Sequence, residues 1–229
     1  MSMKNIFRGI TVLGALAGVT AANADMGYCW EPYVGLEYKY QIMKGKDDWS
    51  KVLPKNFHNL GIFVGDRFMK NVGVELGYER SLRKTKDASF AVTDTFFGGN
   101  PGAATTTSAK VRLSSFHLDL MGYMPLGDDD FELIGTIGLA SAKPKVDISN
   151  NPTTGFETVS GKRKTLPRIG FGAQYQEEGS MFGVRGLVRW EGTSRLRANL
   201  GTLTNTFPNA STKIYKSGVS LAVAGFVSF

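Results

Sequence analysis

The sequence holds one cysteine, Cys29, in 229 residues. A lone thiol excludes an intramolecular disulfide and any site built on a cysteine pair. Its flank, Met26-Gly27-Tyr28, is no lipoprotein lipobox, so the thiol reads as structurally idle. Histidine is almost as scarce: His58 and His117 stand far apart and carry no metal-site signal. Long apolar runs are missing as well. After residue 24 nothing approaches the ~18 consecutive apolar residues of a transmembrane helix. If the chain spans a membrane it does so with strands, because in lipid only helices and closed barrels satisfy every backbone polar group. No Gly-x-Ser-x-Gly nucleophile elbow and no nucleic-acid reader motif occurs. Neither a cofactor nor a nucleic-acid partner is expected.

The first 24 residues are a different kind of text. Lys4 and Arg8 precede a short apolar core, Ile10 to Val19, and Ala22-Asn23-Ala24 fits a small-x-small cleavage site. This is a secretory signal pattern. Residues 1–24 are therefore expected to be removed, leaving residues 25–229 as one domain. The formal charge of +7 then loses Lys4 and Arg8, and a basic exported domain without disulfides remains.

What is abundant is period-two alternation. From Tyr215 to Phe229, Val219, Leu221, Val223 and Val227 alternate with Gly218, Ser220, Ala222 and Ala224. Alternation at this period is a strand. The stretch also exceeds the roughly 9–11 residues that a tilted strand needs to cross a bilayer. Seven earlier segments alternate similarly: about Glu31–Ile42, Phe57–Asp66, Val72–Arg80, Val111–Met124, Phe131–Ala142, Thr165–Gln176 and Met181–Gly192. In the fourth the apolar set changes parity, from Val111 and Leu113 to Phe116, Leu118 and Leu120, and a β-bulge near Ser114-Ser115 would restore the phase. The connections alternate long and short. The pattern predicts an all-β, eight-stranded antiparallel up-and-down transmembrane β-barrel.

The same alternation describes a soluble lipocalin-like barrel with its apolar face inward. Three features favour the membrane orientation. The second face is rich in Gly, Ala and Ser with few charges, which suits the cramped interior of a small barrel. Long loops segregate to one end. Aromatics gather at both strand ends, with Tyr33, Phe68, Tyr123, Phe131, Tyr175, Phe182 and Phe229 near the short turns and Tyr40, Phe57, Trp190 and Tyr215 near the long loops, as interfacial belts would.

The leader, the eight alternating strands and the final Ala224-Gly225-Phe226-Val227-Ser228-Phe229 resemble the small outer-membrane barrels of Gram-negative bacteria, of the opacity-protein and OmpA-transmembrane-domain type. The resemblance is architectural and covers nearly the whole exported chain. It implies residence in the cell outer membrane. It also implies that Phe229, with Val227 and Phe226, is read by the barrel-assembly machinery.

Charged residues fall into two groups. Glu37, Lys39, Glu75, Glu79, Arg112, Asp119, Glu132, Arg168, Arg185 and Arg189, with Glu191 and Lys216, lie on the presumed inner face. In a dry lumen they must pair or cost several kcal/mol each. They are expected to form a plug of ion pairs; a charged lining of a narrow passive pore is the alternative. The second group, basic residues, lies in the long connections Met43–Lys55, Ser81–Lys110, Lys143–Lys164 and Thr193–Lys213, beginning with Lys44, Lys46, Lys51 and Lys55, and is densest at Lys162-Arg163-Lys164. The short turns are acidic instead, with Asp128, Asp129 and Asp130. A basic collar suits the phosphates of lipopolysaccharide, and the same loops would suit a host surface ligand. His117-Leu118-Asp119 beside Ser114 and Ser115 is the one arrangement that could serve an outer-membrane lipid-modifying enzyme. The reading is a non-catalytic, structural or surface-interaction protein.

Overall fold

The computed structural model describes residues 30–91, 105–149, 157–197 and 212–229. The expected leader, residues 1–24, and Cys29 lie outside the described residues. Strands β1 (Glu31–Gly45), β2 (Asn56–Met69), β3 (Val72–Ser81), β4 (Lys84–Phe90), β5 (Thr105–Leu126), β6 (Asp128–Ser149), β7 (Glu157–Ser160), β8 (Lys164–Gln176), β9 (Phe182–Glu191) and β10 (Tyr215–Ser228) form one antiparallel sheet. One helical turn, α1 (Trp49–Val52), follows β1. The neighbour order β4-β5-β3-β2-β1-β10-β9-β8-β6-β7, with β5 also paired to β6, closes a ring of eight strands. The closing pair of first and last strands runs from Tyr33 opposite Ser228 to Met43 opposite Gly218. A ring leaves no edge to satisfy within the wall.

The two extra strands are not extra staves. β4 takes over from β3 along the upper part of β5, from Lys84 opposite Val111 to Phe90 opposite Thr105. β7 does the same for β8 along β6, from Lys145 opposite Ser160 to Ile148 opposite Glu157. Much of what reads as loop in 81–110 and 143–164 is therefore sheet. β5 and β6 run 22 residues each, about twice what a bilayer needs. They turn at Gly127, whose φ of 72° is the left-handed region glycine adopts without strain.

The expected bulge at Ser114-Ser115 is absent. β5 pairs with β6 in unbroken register from Ser108 opposite Ser149 to Pro125 opposite Glu132. The strand keeps its faces, and the surroundings change instead. In the lower half of β5, Phe116, Leu118 and Leu120 point outward and are about half exposed, while Ser115, His117 and Asp119 are buried inside. In the upper half, Val111 and Leu113 are buried inside and Arg112 and Ser114 lie outward. β6 inverts at the same level, from outward Ile137 and Leu139 to inward Ala142, Val146 and Ile148. A lipid-facing wall is apolar outside. Above the lipid the wall stands in water, and the apolar side chains go in.

Above that level the interior holds an apolar core. Met43, Trp49, Val52, Leu53, Phe57, Leu166, Leu196, Ile214 and Tyr215 pack with the upper parts of β4, β5 and β6. α1 folds over the mouth and buries Trp49 and Val52 completely. Two members of the expected aromatic belts belong here: Phe57 and Tyr215 meet edge-to-face at 5.9 Å inside the barrel. Tyr33 and Tyr123, expected in the lower belt, are also interior, with their hydroxyls 3.2 Å apart. Phe131, Tyr175, Phe182, Trp190 and Phe229 are exposed on the wall.

Candidate functional site

Between the apolar cap and the short-turn end, alternation directs a set of charged side chains inward. Glu37 and Lys39 come from β1, Glu75 and Glu79 from β3, His117 and Asp119 from β5, Arg168 from β8, and Arg185, Arg189 and Glu191 from β9. All are at most 5% exposed. Arg189 Nη1 donates to Glu37 Oε1 at 2.6 Å. Arg185 Nη2 lies 2.6 Å from Glu75 Oε2, and its guanidinium covers the Phe63 ring at 4.1 Å. Lys39 Nζ bridges Glu79 at 2.5 Å and Glu191 at 2.9 Å. Arg168 Nε faces Asp119 Oδ1 at 3.3 Å. Neutral groups complete the cluster: Gln41 donates to Glu191 at 2.7 Å and Ser115 to Glu79 at 2.8 Å.

Small residues make room for this cluster. A Cβ on Gly77 would stand 2.3 Å from His117 Nε2, and one on Gly138 2.1 Å from Asp119 Oδ1. Gly170 leaves the space taken by the Arg189 stem and Thr136. Glycine on the inner face thus has a steric purpose beyond the narrowness of the barrel.

Three residues assigned to this group stand apart. Arg112 is half-buried on the outward set, opposite Lys145, because the lumen at its level is apolar. Lys216 is exposed at the upper rim, and its carbonyl accepts from Thr193 Oγ1. Glu132 faces inward near the short turns, where Arg67 Nη2 binds it at 2.6 Å and Gln174 donates to it at 2.6 Å. Arg67, Gln41, Asn59 and Gln174 were missed by sequence reasoning. Their inward parity was the signal, but uncharged or turn-proximal residues do not stand out among loop residues.

The serine–histidine–acid arrangement is not assembled. Ser114 points outward, and the Ser115 hydroxyl donates its hydrogen bond to Glu79. His117 instead lies between Glu75 (Nε2, 3.8 Å) and Glu79 (Nδ1, 4.0 Å). His58 sits on the outer wall, with Nδ1 2.5 Å from the Tyr38 hydroxyl.

Of the expected collar, Lys162 and Arg163 are exposed. Arg163 donates to the Ser141 carbonyl at 2.9 Å, and its guanidinium lies 5.3 Å from the outward Phe116 ring. Lys164 opens β8 opposite Ala142, on the inward parity. Further cations share the outer wall at this level: Arg80 and Lys143 flank Ser114, and Arg112 stands opposite Lys145. At the far end, the Phe229 ring is exposed and its N–H donates to the Pro32 carbonyl at 2.9 Å. Val227 is half-buried, while Phe226 is buried in the floor against Tyr33, ring centroids 5.8 Å apart.

A closed antiparallel ring, apolar outside and charged inside, whose first strand starts and last strand ends at the short-turn end, is the architecture of one group of proteins. The family model described as outer membrane protein beta-barrel domain matches residues 11–181. The chain belongs to that family. The barrel is thus a Gram-negative outer-membrane protein; barrels of this kind generally keep short turns on the periplasmic side and longer loops outside the cell. Ail, the attachment invasion locus protein of Yersinia pestis, solved in complex with the heparin analogue sucrose octasulfate, is similar to it. The identity is 14%, the TM-score 0.51, and the match covers 87% of this chain and 99% of Ail. Neisserial surface protein A is similar at 11% identity and a TM-score of 0.54, covering 86% of this chain and 97% of that one. At such identities the likeness is one of fold. No curated protein matches the sequence significantly.

Proposed function

We propose that this outer-membrane barrel is a non-catalytic surface protein, closed to passage, whose basic extracellular half contacts lipopolysaccharide. The carrying observation is the filled interior. A layer of buried ion pairs lies across the membrane level, and an apolar cap with Trp49, Val52 and Leu53 lies above it. Ions crossing would have to break pairs whose separation costs several kcal/mol each and then pass a dry core. This argues against the narrow passive pore. Reconstitution into planar bilayers tests it, and stable single-channel steps from wild type would refute a closed lumen.

The exterior supports the second half of the reading. Lys162 and Arg163, with Arg80, Arg112, Lys143 and Lys145 at the same level, stand directly above the outward apolar band at Phe116. Phosphates at the headgroup level meet cations there. Charge reversal of Lys162 and Arg163, the two collar residues that are exposed, lowers the lipopolysaccharide that co-purifies, and unchanged retention counts against the collar; Lys164, on the inward parity, is left unchanged. A host polyanion is a further partner that the same cations suit; the heparin analogue bound to Ail is of that chemistry. Phe229, exposed at the periplasmic end, is proposed with Val227 and Phe226 as the signal to the assembly machinery. Phe226 would be read before folding, since the barrel then encloses it.

A further inference from the structure

Glu75 and Asp119 face each other directly across β3 and β5, and Gly77 faces His117 one inward step above. This brings a carboxylate, an imidazole and a second carboxylate together inside the wall. Each offers a donor atom within 4.8 Å of the other two. All three are buried, with Glu75 and Asp119 at 0% and His117 at 4% exposure.

Their remaining donors point into the same space. Glu75 Oε2 is held by Arg185 and by the Tyr33 hydroxyl at 3.3 Å, but Oε1 makes no hydrogen bond. Neither oxygen of Asp119 and neither nitrogen of His117 makes one; their nearest charged neighbours are Arg168 Nε, 3.3 Å from Asp119 Oδ1, and Glu75 and Glu79, 3.8 and 4.0 Å from the imidazole. Buried polar atoms of this kind are normally satisfied. The surrounding charge is also unbalanced. Glu37, Glu75, Glu79, Asp119 and Glu191 face Lys39, Arg168, Arg185 and Arg189, one carboxylate more than cations. A divalent cation beside His117 would give these atoms a partner and more than offset the one excess carboxylate.

We propose that Glu75, His117 and Asp119 form a site for a divalent first-row transition ion such as Zn²⁺. One imidazole and two carboxylates are a donor set that such ions accept. Ligand distances of about 2.0–2.2 Å set tetrahedral donors about 3.4 Å apart, so donors within 4.8 Å of one another each move by less than about 1 Å. The approach is from the periplasm. A small vestibule of about 20 Å³ at that end is lined by Tyr33, Arg67, Tyr123, Gln174, Arg185 and Phe226. Arg185 and Tyr33 in its wall both touch Glu75, so these two side chains separate the vestibule from the site.

The test uses the full chain, purified without a histidine tag, folded in detergent and carrying Cys29→Ser. Titration with Co²⁺ alone gives visible ligand-field bands that saturate and are displaced by Zn²⁺. His117→Gln abolishes them, Asp119→Asn weakens binding at least about tenfold, and His58→Gln leaves it unchanged. The heat-shifted gel band confirms that each variant is folded. Independently of any variant, Zn²⁺ raises the urea midpoint of the Cys29→Ser chain, because an ion held only by the folded state stabilises it. Three results overturn the site: no saturable Co²⁺ band from the folded chain, binding that survives His117→Gln, or binding that is lost with His58→Gln. An unmoved urea midpoint with Zn²⁺ also overturns it.

Discussion

The change of interior along β5 can be tested by placing the same charge at two heights on one face. Leu120 and Ser114 both point outward, separated by six residues. At about 3.3 Å per residue that is roughly 20 Å along the strand. A tilt of about 40° reduces it to roughly 15 Å along the membrane normal, against a half-height of about 12 Å for the apolar band. Leu120 lies midway between Phe116 and Met124, the outward apolar ends of β5. Ser114 accordingly stands just outside the lipid. Leu120→Arg is expected to cost about 2–4 kcal/mol, the midplane cost of arginine on a lipid-facing barrel wall. Ser114→Arg, already beside Arg80 and Lys143, is expected to change stability by about 0.5 kcal/mol or less. On the inward face the order reverses. Leu113→Ala empties a buried site in the cap and costs about 2–4 kcal/mol. The assay is reversible urea unfolding in lipid vesicles, read by the heat-modifiable gel shift and by tryptophan fluorescence. Equal costs for Leu120→Arg and Ser114→Arg would mean that lipid reaches Ser114, and the assignment of the upper barrel to water would fail.

Other consequences follow from the interior. Arg189→Met leaves Glu37 buried without its 2.6 Å partner and is expected to destabilise by about 3–5 kcal/mol. The double variant Glu37→Leu/Arg189→Met recovers most of that, because an apolar pair needs no partner; a double-mutant cycle in urea measures it. Gly138→Ala places a Cβ 2.3 Å from the Leu118 carbonyl and 2.1 Å from Asp119 Oδ1, so it is expected to cost about 1–3 kcal/mol by overpacking and to lower the urea midpoint. In the cap, Lys86 Nζ donates to the Ser50 carbonyl at 3.0 Å and to the Leu53 carbonyl at 3.4 Å. Burial, with Lys55 nearby, holds its ammonium below the usual lysine range. The folded chain then binds fewer protons than the unfolded one from that lowered value up to the ordinary one, so stability rises with pH across that window. Lys86→Met removes this rise, which unfolding at a series of alkaline pH values detects.

The barrel was legible because lipid imposes one rule on every stave. Leu36, Leu118, Ile137 and Val223 recur at period two wherever the wall meets acyl chains, and a one-residue slip would expose the charged face. The lumenal charges were legible for the same reason, since Glu37, Lys39, Glu75, Glu79, Asp119, Arg168, Arg185 and Arg189 interrupt strands otherwise apolar or small. The rule fails where the medium changes. Val111 and Leu113 obey a soluble-protein pattern on the same strand as Phe116 and Leu118. A single-medium reading resolves that conflict with a bulge, and it misplaces Arg112 in the process. Trp49, Val52 and Leu53 escaped notice because a single helical turn is too short to show a period. The meeting of Glu75, His117 and Asp119 depends on the β3–β5 register, which the length of 81–110 leaves undetermined.

The two filled layers solve different problems, and each depends on the other. In the lipid-embedded half, a small barrel cannot fill its lumen with large apolar residues on both faces, since nothing would then distinguish inside from outside during insertion. Charges on the inner face make the wrong orientation prohibitive, at about 2–4 kcal/mol for each arginine or lysine turned to the midplane. They must then be paired without water, which requires Gly77, Gly138 and Gly170 to be bare. Above the membrane, the outer face is in water and the ordinary hydrophobic effect can act. The cap therefore supplies the apolar burial that the lower half forgoes, and it keeps bulk water from the upper ion pairs around Lys39 and Glu191. On this argument Trp49→Ala weakens more than the cap. By admitting water above Lys39 it lowers the strength of the Lys39–Glu79 and Lys39–Glu191 pairs. The cost of Lys39→Met is therefore smaller in a Trp49→Ala background than in wild type. Strict additivity of the two substitutions, measured in urea, would separate the layers and contradict the coupling.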